Sequence, residues 1–376
     1  MKINNFKVKK IKWSKIHSFS AKNKIEVIDK YENNLEELFL LRNPRFKFNK
    51  NYQSEFNNFK KAHYREKDPL SLGSWFYFPW LHRVVHFFGE ELHNELRTGR
   101  NKYLISHKNQ NTYYNSAVGV LGMSVGSHIA IIIAMTGGAK RIKIADPDTL
   151  SGDNLNRIRL GFSSVGEKKV VLVARQISEI NPYSDIKIYD EGITENNYED
   201  FIDGLDIVVE EMDNMYWKLR IREICKKKKI PVIMGTDNGD GVIIDIERFN
   251  KDKKYPIFHG LAPHITSKSL KKMKSTDLPK IAATLAGANL APPEMIYSVS
   301  EVGKSLYSWP QLGTAANLCG TAVSYIVRHL LCDDVVINSG RYEVNLDSIF
   351  IADWNTKKEK NSRSLFIKKI LKEMDL

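Results

Sequence analysis

Cysteine is almost absent from this chain. Cys225, Cys319 and Cys332 are the three thiols in 376 residues, and none sits in a C-x-x-C pair. A disulfide framework and a structural zinc clip are therefore both excluded. No apolar run reaches the ~18 residues of a membrane-spanning helix. The opening Met1-Lys-Ile-Asn-Asn-Phe6 has no apolar signal core, so a cytoplasmic protein with no membrane role is expected. Internal repeats are missing as well. Acidic residues are outnumbered, with 44 Asp and Glu against 57 Lys and Arg for a net charge of +13. The excess is concentrated, since residues 1–70 hold 17 basic and 8 acidic side chains. Such a segment suits an anionic partner, either an acidic peptide or a nucleic acid; a lysine-rich solvated surface is the plain alternative.

What remains is the composition of a large globular chain, 42% hydrophobic and 27% charged, long enough for two domains or one with an appendage. Its most informative stretch runs from Ser116 to Asp213. An apolar run from Ser116 to Leu121 reads as a buried strand. It breaks at Gly122-Met123-Ser124-Val125-Gly126-Ser127 and passes into an apolar helix over His128–Met135. Twenty residues beyond Gly126, a second strand from Arg141 ends in Asp146-Pro147-Asp148. A glycine turn leading into a helix, beside an acidic residue at the next strand's carboxyl edge, is how a sheet holds a nucleotide: phosphates on helix amides, ribose on the carboxylate. The same letters spell G-x-S-x-G, a nucleophile elbow, for which Ser124 would need His259 or His264 as base. The glycines could also do no more than let helix and strand pack closely.

Further strands are expected from Ile186, from Asp206 to Glu210, from Ile230, and over Asp240–Phe249 and Arg341–Ile351, separated by helical stretches. This alternation predicts an α/β fold built on a doubly wound, mostly parallel sheet. Residues 1–95 are expected to form a basic α+β N-terminal appendage, with a helix over Ile28–Leu41 and a dense aromatic knot, Trp75-Phe-Tyr-Phe-Pro-Trp80. That knot suits a packed core better than base stacking. Residues 96–355 form the main domain, in which 251–310 is an irregular crossover or lid and Gln311–Leu331 a helix of small residues; 356–376 form a basic tail.

In chain order, Asp146-Pro-Asp148, Asp153-Asn-Leu-Asn-Arg157, Val165-Gly-Glu-Lys-Lys169 and Met212-Asp213-Asn214 follow the glycine turn. This series resembles the ThiF/MoeB superfamily, the adenylating enzymes related to the ubiquitin-activating enzymes, over about residues 96–350. The resemblance implies a Rossmann-like, ThiF-type fold that binds ATP and Mg²⁺. Gly122, Ser124 and Gly126 would form the phosphate turn, Asp146 would bind the ribose, and Asn154, Arg157 and Lys169 would hold the phosphates. Asp213 would bind the metal, with Asn214 beside it. Arg97-Thr-Gly-Arg100-Asn is similar to a relatives' motif whose second arginine enters the neighbouring subunit's site, which implies a homodimer with Arg100 acting in trans. Ser124 stands where relatives have glycine, the zinc-binding pairs of MoeB-like members are missing, and 251–310 contains no cysteine to receive a thioester. The chain looks most like the members that modify ribosomally made peptides, as in microcin C and pantocin A biosynthesis, the pantocin A enzyme above all. That implies adenylation of a carboxylate on an acidic precursor peptide, then attack by a nucleophile of the substrate, in peptide antibiotic biosynthesis. Activation of a sulfur-carrier protein and tRNA-modifying dehydration are the alternatives within the superfamily.

Overall fold

The computed structural model describes residues 6–273 and 278–374, so the ends of the N-terminal region and tail, and a short part of the crossover segment, lie outside the described residues. The chain divides into two compact units. One comprises the chain up to Asn111 with Met135–Gly137 and Ala174–Ser184; the other comprises Thr112–Ala134, Gly138–Val173 and everything from Asp185 onward.

The first unit carries a four-stranded sheet of β1 (Lys9–Ile11), β2 (Glu26–Asp29), β3 (Ser74–Phe78) and β4 (Arg83–Phe87), in the order β1-β3-β4-β2. Only β2 and β4 run parallel. The aromatic knot is core: Trp75, Phe76 and Phe78 are buried, and the Trp75 ring stacks on His86 at 4.1 Å. Helix Tyr31–Arg42 buries Tyr31, Leu35, Leu38 and Phe39 against Phe56 and Phe88. These positions repeat at helical spacing, which is why this helix is readable from sequence. Helix Tyr52–Tyr64 is not readable in the same way, because Phe56 is its one buried residue.

The second unit holds seven strands: β5 (Ala117–Leu121), β6 (Arg141–Ala145), β7 (Asp185–Tyr189), β8 (Ile207–Glu210), β9 (Val232–Asn238), β10 (Gly241–Glu247) and β11 (Gly340–Val344). Their order is β11-β10-β9-β8-β5-β6-β7. Strands β5 to β9 pair in parallel, whereas β10 and β11 are antiparallel. The fold is therefore the α/β, mostly parallel doubly wound sheet that the alternation predicts. The sheet winds outward in both directions from β5. The carboxyl ends of β5, β6 and β8 thus open at a switch point, where such sheets bind ligands. The central parallel strands β5 and β8 are buried along their length and read as continuous apolar runs, whereas the outer β6 and β7 alternate apolar with charged residues. The expected strand over Arg341–Ile351 ends at Val344. There the Asn345 side chain accepts the Ser348 amide at 3.2 Å and starts a helical turn, Asp347–Phe350.

Beneath β8 and β10 lies a buried ionic cluster. Arg222, wholly buried on helix Met215–Lys228, donates to Glu210 at 2.5 Å and to Glu247 at 2.6 Å. Its guanidinium also lies 4.0 Å from the centre of the Phe258 ring. Among the described residues no helix is long and apolar enough to cross a membrane.

Candidate functional site

The glycine turn is built by backbone geometry. Gly122 leaves β5 with φ +86°, where an L side chain is strained, and its N–H donates to the Ala145 carbonyl at 2.8 Å. The next amide, Met123, donates to the Asp146 carboxylate at 2.5 Å, and helix Val125–Met135 follows. The other Asp146 oxygen accepts the Asp148 amide at 2.7 Å. Asp146 is thus the brace that ties the end of β6 to the turn after β5. Burial raises its pKa, against the opposing effects of Lys169 and the two amides. Asp148 is exposed, and its carboxylate pairs with Lys169 Nζ at 3.0 Å. Lys169 itself is buried. The neighbouring Lys168 instead donates to the Pro147 and Asp190 carbonyls and pins the loop.

Between these points, Ser151 and Asn154 cap a short helical turn, Gly152–Asn156, and Asn154 is buried in that role. The turn delivers Arg157, whose Nε donates to Ser124 Oγ at 3.1 Å. His128, inside the helix after the glycine turn, contacts the Arg157 carbonyl through Nε2 at 2.6 Å. The structure therefore brings Gly122, Ser124, Asp146, Asn154, Arg157 and Lys169 to one edge of the sheet. Ser124 is engaged by an arginine. His259 is held by Asp245 at 2.9 Å and Tyr255 at 2.9 Å, which does not make the pair of a nucleophile elbow.

Asp213 stands exposed on the bend after β8. Its neighbour Asn214 caps helix Met215–Lys228, accepting the Trp217 amide at 3.1 Å. Among the described residues no group of three or more His, Cys, Asp or Glu could hold a metal. A lone exposed carboxylate fits a Mg²⁺ that arrives with nucleotide phosphates, since that ion keeps most of its waters and takes one or two carboxylates. It does not fit a resident ion. Arg100 lies in the other unit, exposed on the turn Gly99–Asn101.

Four residues that sequence reasoning passed over also meet here, because the crossover segment returns across the site. Asn156 Nδ2 donates to the Gln311 carbonyl at 2.8 Å, and the Tyr307 hydroxyl bonds Asp153. Gln311 Nε2 donates to the Asp237 carboxylate at 3.2 Å. Asp237, the penultimate residue of β9, is buried; burial pushes its pKa up to about 6, against the Gln311 hydrogen bond and the Arg157 charge. Glu211, directly after β8, accepts the Gly235 amide at 2.8 Å, and burial holds its carboxyl well above the usual range. A cavity of about 520 Å³ opens among Asn156, Arg157, Arg159, Gly313 and Asn317. In the sequence, Asp237 sits in Thr236-Asp-Asn-Gly-Asp-Gly241, a string that reads as a turn between two expected strands.

The profile of the ThiF family matches residues 98–361. An uncharacterised protein of Mycobacterium tuberculosis is 31% identical over 275 residues, which are 73% of this chain and 38% of that protein, so the match spans well under half of the relative's length. The tRNA threonylcarbamoyladenosine dehydratase of Bacillus subtilis is 34% identical over 179 residues, 46% of this chain and 70% of the dehydratase. Among solved structures, Escherichia coli MccB crystallised with MccA overlaps at a TM-score of 0.47 and 15% identity, covering 67% of this chain and 66% of MccB. PaaA overlaps at 0.45 and 17% identity, covering 68% of each chain. Likenesses this loose carry no argument about substrate.

Proposed function

This chain belongs to the ThiF family, and from that premise we propose that it adenylates a carboxylate of a ribosomally made, acidic peptide with ATP, releasing pyrophosphate, and then passes the activated acyl group to a nucleophile of the substrate. The observation that carries this is the convergence of the braced Gly122 turn, the Asp148–Lys169 pair and the Arg157–Ser124 contact at the carboxyl edge of β5 and β6. A carboxylate attacking an α-phosphorus meets three charged phosphates, and cations fixed beforehand offset that charge without reorganising. Lys169 and Arg157 are so fixed. Asp148 is the exposed carboxylate beside the turn and supplies the ribose contact together with Asp146. Mg²⁺ bound with the nucleotide at Asp213 would orient the pyrophosphate leaving group. Arg100 completes the site from a second copy of the chain.

Two features support transfer within the substrate rather than through an enzyme thiol. Residues 251–310 contain no cysteine. Cys225 and Cys319 are buried, with burial pushing both thiols far up, and Cys332 is raised to about 11; thiols so protonated are poor nucleophiles. The surplus of basic side chains in residues 1–70 supports the choice of an acidic peptide, held by the N-terminal region. The likeness to the Bacillus subtilis tRNA enzyme favours a second reading, in which the carboxylate belongs to a modified tRNA nucleoside.

The test is ATP–pyrophosphate exchange by the purified protein with a panel of acidic peptides, with bulk tRNA and with neither, repeated on Asp213→Ala. Exchange that needs a peptide and disappears in the variant is the expected result. Exchange supported by tRNA alone selects the second reading, and no exchange under any of the three conditions refutes adenylation.

A further inference from the structure

We propose that Asp237 is the proton acceptor for the acyl-transfer step, and that the nucleophile it serves is a substrate amine. The inference rests on the adenylation reading above and adds the residue and the nucleophile class. It starts from an unmade hydrogen bond. Asp237 is 6% exposed, Gln311 satisfies one carboxylate oxygen, and Oδ1 is buried with no partner. A buried carboxylate oxygen left without a donor is costly, and native structures rarely keep one unless something else fills it. The missing partner must be a donor, because a carboxylate accepts.

Position identifies that donor. Asp237 lies next to the end of β9, two strands from β5 in the order β9-β8-β5, so it stands beyond Asp213 from the Gly122 turn. Arg157 is close enough to act on its charge, so Asp237 neighbours one of the proposed phosphate cations, the side on which the proposal puts the acyl group. The charges around it favour an ammonium over a hydroxyl. Glu211 and the Cys319 thiol both feel Asp237. Around the next turn, burial and then the charges of Asp240 and Glu294 raise the Asp347 pKa, against the charge of Arg363. Arg157 is the one cation acting on Asp237 from the other side, with neutral Gln311 from the returning crossover segment.

The step balances without another reactant. The bound ammonium first gives one proton to Asp237 Oδ1, and the freed amine nitrogen then attacks the acyl carbon of the acyl adenylate and forms the C–N bond. The bond from that carbon to the phosphate oxygen breaks, AMP leaves with the electron pair, and the second proton shed by the nitrogen leaves with the AMP phosphate. An acceptor with its pKa near 6 is ionised at neutral pH and close enough to it to take a proton usefully.

The experiment compares wild type with Asp237→Asn, using the partner that supports pyrophosphate exchange. Two outside nucleophiles are offered: hydroxylamine, reactive without a base, and methylamine, protonated at neutral pH. The expected result is exchange and hydroxamate formation within about threefold of wild type, while methylamide formation falls roughly 10²-fold or more, the usual contribution of one general base. Because the substitution removes an unsatisfied buried charge, Tm is also expected to rise, by roughly 1–3 °C. A fall in Tm, or loss of exchange along with methylamide formation, makes Asp237 a structural or adenylation residue and overturns the proposal. Unchanged methylamide formation overturns it equally. Absence of exchange in wild type with every partner defeats the adenylation reading itself, a failure visible without the variant.

Discussion

Gly122 and Gly126 bracket the same turn, yet replacing each with alanine should give opposite results. At Gly122 an added Cβ would lie 2.5 Å from the Glu211 carbonyl oxygen and 2.8 Å from its carbon. Both atoms are backbone at the exit of β8 and cannot step aside without moving that strand. The φ of +86° adds the strain of the left-handed region, about 1–2 kcal/mol for an L residue. Overpacking adds about 1–3 kcal/mol. The sum, about 2–5 kcal/mol, is a large part of the ~5–15 kcal/mol that typically holds a domain folded. At Gly126 the backbone is helical, and the new Cβ meets a side-chain atom, Val120 Cγ1, at 2.9 Å. There the gain in helix propensity, about 1 kcal/mol, offsets much of the contact. Urea unfolding followed by circular dichroism should therefore separate Gly122→Ala from Gly126→Ala by about 2 kcal/mol or more, with unchanged m values. ATP affinity should fall in the first variant alone. Equal stabilities for the two would refute the claim that the turn is fixed by its approach to Glu211.

Four further outcomes follow from the geometry. Arg222→Leu leaves Glu210 and Glu247 buried without their shared cation and should cost about 3–5 kcal/mol in a urea melt, whereas Asp213→Ala, at an exposed bend, should lie within about 0.5 kcal/mol of wild type while abolishing exchange. Lys169→Met should keep the fold and weaken ATP binding at least tenfold by calorimetry, about 1.4 kcal/mol, because the buried cation beside Asp148 is lost. Burial, with help from Arg97, lowers His93 to about 4, so the folded state binds fewer protons there than the unfolded chain. That contribution is complete above pH ~6.5 and disappears as pH falls toward ~4, at most about 3 kcal/mol. His93→Gln should flatten the acid limb of stability measured across that window.

The sequence disclosed the main sheet because its central strands β5 and β8 are buried and read as unbroken apolar runs, and because β6 and β7 show the alternation of half-covered strands. It disclosed much less of the N-terminal unit. Strand β1 is Lys9-Lys10-Ile11 and β2 is Glu26-Val-Ile-Asp29, short segments with mostly exposed side chains and no alternation to detect. The helices Leu278–Ala286 and Pro293–Ser300 in the crossover segment bury one or two residues each, which leaves no stripe long enough to count. Within the site, Asp146 is legible from its place at a strand's carboxyl edge, while Arg157 and Lys169 are singled out by the family resemblance; Arg157 caps a short helical turn and Lys169 starts a helix. Contacts between distant residues left no local mark. Nothing near Ser124 announces that Arg157 will reach it, and nothing near Gln311 announces Asp237. The string Thr236-Asp-Asn-Gly-Asp-Gly241 reads as hairpin chemistry, which it also is, and that hid the buried carboxylate.

The cluster of Glu210, Arg222 and Glu247 ties together the end of β8, the following helix and the antiparallel β10. Lys218 also pairs with Glu210 at 3.2 Å, so two cations balance two carboxylates, losing any one leaves an unmatched interior charge, and no single neutral replacement is mild. Lineages carrying this arrangement must inherit the three positions as a unit or exchange them nearly at once. In an alignment of close relatives these sites should covary across 37 residues of chain, from 210 to 247, even where the surrounding surface has drifted freely.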